Sequence, residues 1–134
     1  ELRMKQEFKI ISDFIEKNTK VLDVGCGDGT LMEFLKNSKK INIRGIEISK
    51  ENSQKCVGKG LTVIEGDAEK DLYQFPDGSF DFVILSQTLQ AFLNPEIVIQ
   101  ELLRVGKKAI VTVPNFGFWK VRFHLLLKGT MPIL

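Results

Sequence analysis

Four acidic residues carry the first chemical signal in this sequence. Asp23 and Asp28 stand at a glycine-rich turn in "KVLDVGCGDGTLMEFL", and Glu47 and Asp67 close two later apolar runs. Glycine lets a backbone approach a ligand closely, and turns of this type often cradle phosphate. Two carboxylates at the turn oppose a phosphate and attract a cationic head, such as an ammonium or a sulfonium. The dinucleotide fingerprint G-x-G-x-x-G is met at Gly25 and Gly27, but Thr30 takes the third glycine's place and Gly29 comes one position early. A nicotinamide or flavin cofactor is therefore disfavoured. No Gly-Lys-Ser/Thr follows the turn, so a phosphate loop is a poor reading.

Glu47 lies about 20 residues past Gly27, where an acidic side chain can accept both hydroxyls of a ribose. Asp67 can accept from an exocyclic amine such as that of adenine. Together they offer one anchor for a cation, one for a ribose and one for an adenine. S-adenosylmethionine has these three parts and no phosphate. Each acid also has a local reading. Asp28 can serve the positive end of the following helix. Asp23 can bond the turn's own N–H groups. Glu47 can be a solvated strand end, and Asp67 a turn residue in "EGD".

These positions must be brought together by the elements around them. Phe8, Ile11, Phe14 and Ile15 recur at helical spacing. Val21 to Val24 read as a short buried strand, and Leu31, Phe34 and Leu35 as the inner face of a helix. "INIRGIEIS" is a strand with Ile41, Ile43 and Ile46 inward. "KENSQKCVGKG" is a helix capped by Ser49. "LTVIEGD" and "FDFVILS" are further strands, the latter apolar enough to be buried on both faces. Asn94 caps a helix that begins at Pro95 and runs to Gly106. "KKAIVTVP" is a fifth strand, stopped by Pro114. Such alternation on short connections predicts an α/β fold, a mostly parallel sheet with helices on both faces. Ligands in such sheets sit at the carboxyl ends of the strands. Gly25 to Gly29, Glu47, Asp67 and Ser86 to Gln90 are thus expected to face one crevice.

The bulk properties agree. A chain of 134 residues supports one domain, and 43% hydrophobic with 27% charged residues argues against disorder. That domain divides into an N-terminal helix (1–19), a cofactor-binding core (20–114) and an aromatic and basic segment (115–134). A net charge of +2 is too small to imply nucleic acid, and no apolar run nears the roughly 18 residues of a membrane span. Cys26 and Cys56 have no metal or redox spacing and read as free thiols in a reducing compartment. The charged N-terminus is no signal peptide, so a cytoplasmic protein is expected. The chain does not begin with Met and ends on "GTMPIL", as a piece of something slightly longer would.

"VLDVGCGDG", "GIEIS", "EGDAE" and "FDFVILSQ" resemble the successive motifs of class I S-adenosylmethionine-dependent methyltransferases, which have a Rossmann-like fold. "DLYQFPDGSFDFVILSQTLQAF" and "ELLRVGKKAIVTVPNFGFWKVRFHLLLKGTMP" are similar, more specifically, to the MetW family of methionine-biosynthesis proteins. The resemblance implies that S-adenosylmethionine or S-adenosylhomocysteine is bound by the turn Asp23, Gly25, Cys26 and Gly27. Glu47 beside Ile48 would take the ribose, Asp67 with Ala68 the adenine, and Ser86 with Gln87 would line the pocket near the methyl donor. The family carries His where this chain has Phe118. Its superfamily adds two edge strands after the fifth, and these are expected to be absent here.

Two function classes follow from the resemblance. One is a methyltransferase, which needs little beyond alignment of nucleophile, methyl carbon and sulfur. The other is an accessory protein that keeps the cofactor fold and acts with homoserine O-acetyltransferase. The short connections after strands four and five favour the second. Phe116, Phe118, Trp119 and Phe123, with Lys120, Arg122 and Lys128 between them, can complete the core. They can also form a surface for that partner or for a homodimer. Membrane and nucleic-acid readings of this segment are weaker. His124, the single histidine, reads as a structural or surface residue rather than a base.

Overall fold

The computed structural model describes residues 2–86, 91–115 and 120–127. Its order is α1 (Leu2–Phe14), β1 (Lys20–Val24), α2 (Thr30–Ser38), β2 (Asn42–Glu47), α3 (Lys50–Gly58) and β3 (Thr62–Glu65). A short 3-10 turn (Leu72–Gln74), β4 (Phe80–Leu85), α4 (Pro95–Val105), β5 (Gly106–Asn115) and β6 (Lys120–Leu127) complete it. The strands form one sheet in the order β3-β2-β1-β4-β5-β6. The first five are parallel, and β6 is antiparallel to β5. The order reverses at β1, between β2 and β4, which is the switch point where such sheets open a crevice.

Alternation along the strands divides the core into two layers. Leu22, Val24, Val83 and Leu85 face α4, packing with Val98, Ile99 and Leu102. Val21, Ile84 and Ile110 face the other side, under α1 and α2, with Ile11, Met32 and Leu35. Ile43 belongs to the second layer and Ile46 to the first. Three positions apart on a strand, they must point to opposite faces. Phe8 of α1 meets Phe34 of α2 with centroids 5.6 Å apart. The Lys39 ammonium donates to the Ser12 and Ile15 carbonyls at the end of α1, tying that helix to the end of α2. On the opposite face Arg104 of α4 donates to the carbonyls of Phe75 at 2.8 Å and Leu72 at 3.0 Å, pinning the connection into β4.

The C-terminal part departs from expectation in two ways. Pro114 does not stop β5, which continues to Asn115 with Pro114 opposite Val121. The sheet also does not end at β5. One antiparallel edge strand is present, formed by "KVRFHLLL" from the segment read as an aromatic and basic surface. Its inward residues explain why. Leu126 is buried in the layer facing α4, and Phe123 packs into the layer under α1. Phe123 is thus half-buried against the core, while His124 is exposed beside it. Phe116, Phe118, Trp119 and Lys128 lie outside the described residues.

Candidate functional site

The glycine turn is built by its backbone. Gly25, Gly27 and Gly29 have φ of 71°, 58° and 88°, the left-handed region that favours glycine. A Cβ at Gly29 would also stand 2.6 Å from Leu61 Cδ1 and 3.0 Å from Cys56 Sγ, so a side chain there would require those two to shift. At Gly27 a Cβ would meet nothing within 4 Å, so the turn's tip is open. The Gly25 and Cys26 N–H groups donate to the Ile46 carbonyl at 2.8 and 3.1 Å.

Glu47 sits at the end of β2, 4% exposed. Its Oε1 accepts from the Gly27 N–H at 2.7 Å and its Oε2 from the Ser49 N–H at 2.8 Å. One carboxylate therefore joins the β1–α2 turn to the β2–α3 turn. Each oxygen keeps a second acceptor direction. Ser49 caps α3 as expected, accepting from Asn52 N–H at 3.2 Å.

Asp23 has the opposite character. It is fully buried, and neither carboxyl oxygen has a hydrogen-bond partner among the described residues. It does not bond the turn's N–H groups, because these are taken by Ile46 and Glu47. Burial, reinforced by the nearby Glu47 charge, pushes its pKa up to about 8. At neutral pH Asp23 is an uncharged acid, not the fixed negative anchor implied by its residue type. Asp28 takes its local reading, with Oδ1 accepting from the Thr30 N–H at 3.1 Å and its hydroxyl at 2.6 Å.

A crevice of about 200 Å³ opens at the strand ends, lined by Gly25, Ile46, Ile48, Asp67, Ala68 and Phe92. This is below the roughly 300–1,000 Å³ of whole-ligand pockets, so it suits one part of a larger molecule. Asp67 Oδ1 accepts from the Glu69 N–H at 2.9 Å, closing a local turn. Its Oδ2 has no protein partner among the described residues. Glu69, which the sequence reading passed over, lines the same crevice. Its two oxygens accept from the Leu93 and Asn94 N–H groups at 3.2 and 3.3 Å. The start of α4 is thereby held by Glu69, and the Asn94 side chain makes no capping bond. Spacing within "EGDAE" gave no hint of it, since its partners lie 24 and 25 residues away.

The expected single crevice is thus divided. Gly25, Ile48, Asp67 and Ala68 share it, and the buried Glu47 is not among its lining residues. Ser86 opens instead into a neighbouring cavity, and Gln87 lies outside the described residues. Cys26 and Cys56 are free and buried, their sulfurs 3.9 Å apart. The Cys56 thiol donates to the Gly27 carbonyl at 3.2 Å, a further brace on the turn. Burial pushes both thiols up, Cys26 the more strongly.

The fold is that of the class I S-adenosylmethionine-dependent methyltransferases. A solved S-adenosylmethionine-dependent methyltransferase from Archaeoglobus fulgidus superimposes with a TM-score of 0.75 at 24% identity, over 84% of this chain and 52% of that one. The bifunctional methionine biosynthesis protein MetXA/MetW of Rhodopirellula baltica is 35% identical over 130 residues, which are 91% of this chain and 21% of that protein. A demethylmenaquinone methyltransferase of Listeria monocytogenes is 30% identical over 89% of this chain and 56% of its own length. The chain therefore spans from about a fifth to just over half of these relatives. The family model described as methionine biosynthesis protein MetW matches residues 5–134. The chain belongs to the MetW family.

Proposed function

We propose that this MetW-family chain binds S-adenosylmethionine or S-adenosylhomocysteine and acts with homoserine O-acetyltransferase in methionine biosynthesis in the cytoplasm. The observation that carries the cofactor reading is the arrangement of acids at the switch point. Gly27 offers an open backbone tip, Glu47 retains acceptor directions at its side, and Asp67 has one unpartnered oxygen on the crevice wall. An adenine lies between Ile48, Ala68 and Phe92, with Asp67 accepting from its exocyclic amine. The ribose takes Glu47, and the sulfonium end passes over the glycine turn. Asp23, buried without a partner beneath that turn, is the orphan acid that such a ligand would relieve.

The partner rests on the relative named MetXA/MetW, in which a region like this chain is part of one polypeptide. Purified chain and homoserine O-acetyltransferase are expected to co-elute from a sizing column and to raise the acetyltransferase rate. Separate elution at micromolar concentrations, with no change in rate, would reject the partnership. A second reading is an active methyltransferase on a small molecule. It is favoured by the likeness to demethylmenaquinone methyltransferase, and methyl transfer can proceed by alignment alone.

A further inference from the structure

A groove of about 380 Å³ runs between α1 and α2, within the roughly 300–1,000 Å³ of small-molecule pockets. It shares no residue with the crevice at the strand ends. Met4, Phe8 and Phe34 give it an apolar lining, and the two phenylalanines are half-buried. Lys5 stands on its α1 wall, and Glu33 and Asn37 stand on its α2 wall. Neither the two charged groups nor the Asn37 carboxamide makes a side-chain hydrogen bond or ion pair among the described residues. The groove thus holds a cation and an anion, unpaired among those residues, on opposite walls of an apolar surface. The helices that form it are fixed. Ile11 of α1 and Met32 and Leu35 of α2 are buried in one core layer, Phe8 packs on Phe34, and Lys39 ties the helix ends together.

We infer that this groove binds a free α-amino acid with an apolar side chain. Opposite charges on the two walls select a ligand that carries both, since a lone anion meets Glu33 and a lone cation meets Lys5. The ligand's carboxylate takes Lys5, its ammonium takes Glu33, and its side chain covers Phe8 and Phe34. Charge-assisted hydrogen bonds at both ends are the stronger kind, and covering the rings removes apolar surface from water. The Asn37 carboxamide both donates and accepts, so it can serve either end. Balanced charge on the walls also disfavours a polyanion or a polycation as the occupant. Lys5 is exposed and Glu33 half-buried, so each ion pair is weakened by water and the affinity is expected in the millimolar range. The site does not depend on the nucleoside reading of the crevice.

Titration of the isotope-labelled chain with L-leucine, followed by amide chemical shifts, tests this. Leucine at millimolar concentration is expected to move the resonances of Lys5, Phe8, Glu33 and Asn37. Isopentylamine lacks the carboxylate, isocaproate lacks the ammonium and L-serine lacks the apolar side chain, and each should bind about threefold more weakly or worse. Lys5→Gln and Glu33→Gln should each weaken leucine about threefold in variants that keep the wild-type spectrum elsewhere. The exchange of Lys5→Glu with Glu33→Lys should bind leucine better than either single variant, because both charges are restored. The leucine response should persist with saturating S-adenosylhomocysteine, and its loss there would assign it to the crevice and overturn the proposal. A groove filled by a second copy of the chain would sediment as a dimer and ignore leucine, which would overturn it too. Equal responses to leucine and its singly charged counterparts, or an unchanged leucine affinity in both single variants, would do the same.

Discussion

The Glu47 carboxylate accepts the Gly27 N–H at 2.7 Å, and through its other oxygen it also holds the turn that starts α3. Charge-assisted bonds to buried N–H groups are among the stronger ones. Glu47→Gln replaces one acceptor by a donor that faces an N–H. It is expected to cost about 1–3 kcal/mol of stability and to weaken nucleoside binding as well, both read from denaturant titrations with and without ligand. A variant with unchanged stability would show that the two bonds carry nothing.

Asp23 sets a pH dependence whose sign is fixed by its raised pKa. Between about pH 4 and 8 the folded chain holds a proton that the unfolded chain has lost. Stability contributed by that proton is complete below about pH 4 and is lost as pH rises through about 8, by up to ~1.4 kcal/mol per unit. Asp23→Asn removes the titration. Its stability is expected to vary less between pH 5 and 8 than that of the wild type. Superimposable pH profiles would contradict the buried, protonated Asp23.

Glu69 holds the start of α4 against the loop after β3. Glu69→Ala is expected to cost about 0.5–2 kcal/mol, the range of a lost helix cap, and to lower the melting temperature by a few degrees. Nucleoside affinity should fall with it, because the crevice wall at Ala91 and Phe92 loses its tether. Unaltered affinity would separate the cap from the site.

The strand–turn–helix around Gly25 to Gly29 was readable because buried β-branched residues, three glycines and a helical repeat follow one another without ambiguity. Ser49 and Pro95 were readable for the same local reason. Glu69 was not, since a residue that caps a helix some 25 positions away leaves no local pattern. β6 was obscured by composition. Its basic and aromatic residues suggested a surface, while the alternation of Val121, Phe123 and Leu125 with Arg122 and His124 is that of an edge strand. The state of Asp23 lay beyond the sequence altogether, because only three-dimensional burial beside Glu47 turns a carboxylate into a neutral acid.

Gly45 on β2 pairs with Asp23 and lies where a Cβ would stand 2.6 Å from Cys26 Sγ and 2.8 Å from Met32 Cε. Gly45→Ala is expected to destabilise by about 1–3 kcal/mol through overpacking, measured by chemical unfolding. A neutral outcome would mean that Met32 swings aside freely.

Calorimetric titration with S-adenosylhomocysteine, with NAD in a parallel run, tests the central claim most directly. Binding in the micromolar range is expected for S-adenosylhomocysteine, weakened by about 1–3 kcal/mol in Glu47→Ala as the ribose loses its acceptor, and no comparable binding for NAD. Absence of heat and of thermal shift at millimolar S-adenosylhomocysteine, or tight binding of NAD under the same conditions, would contradict it.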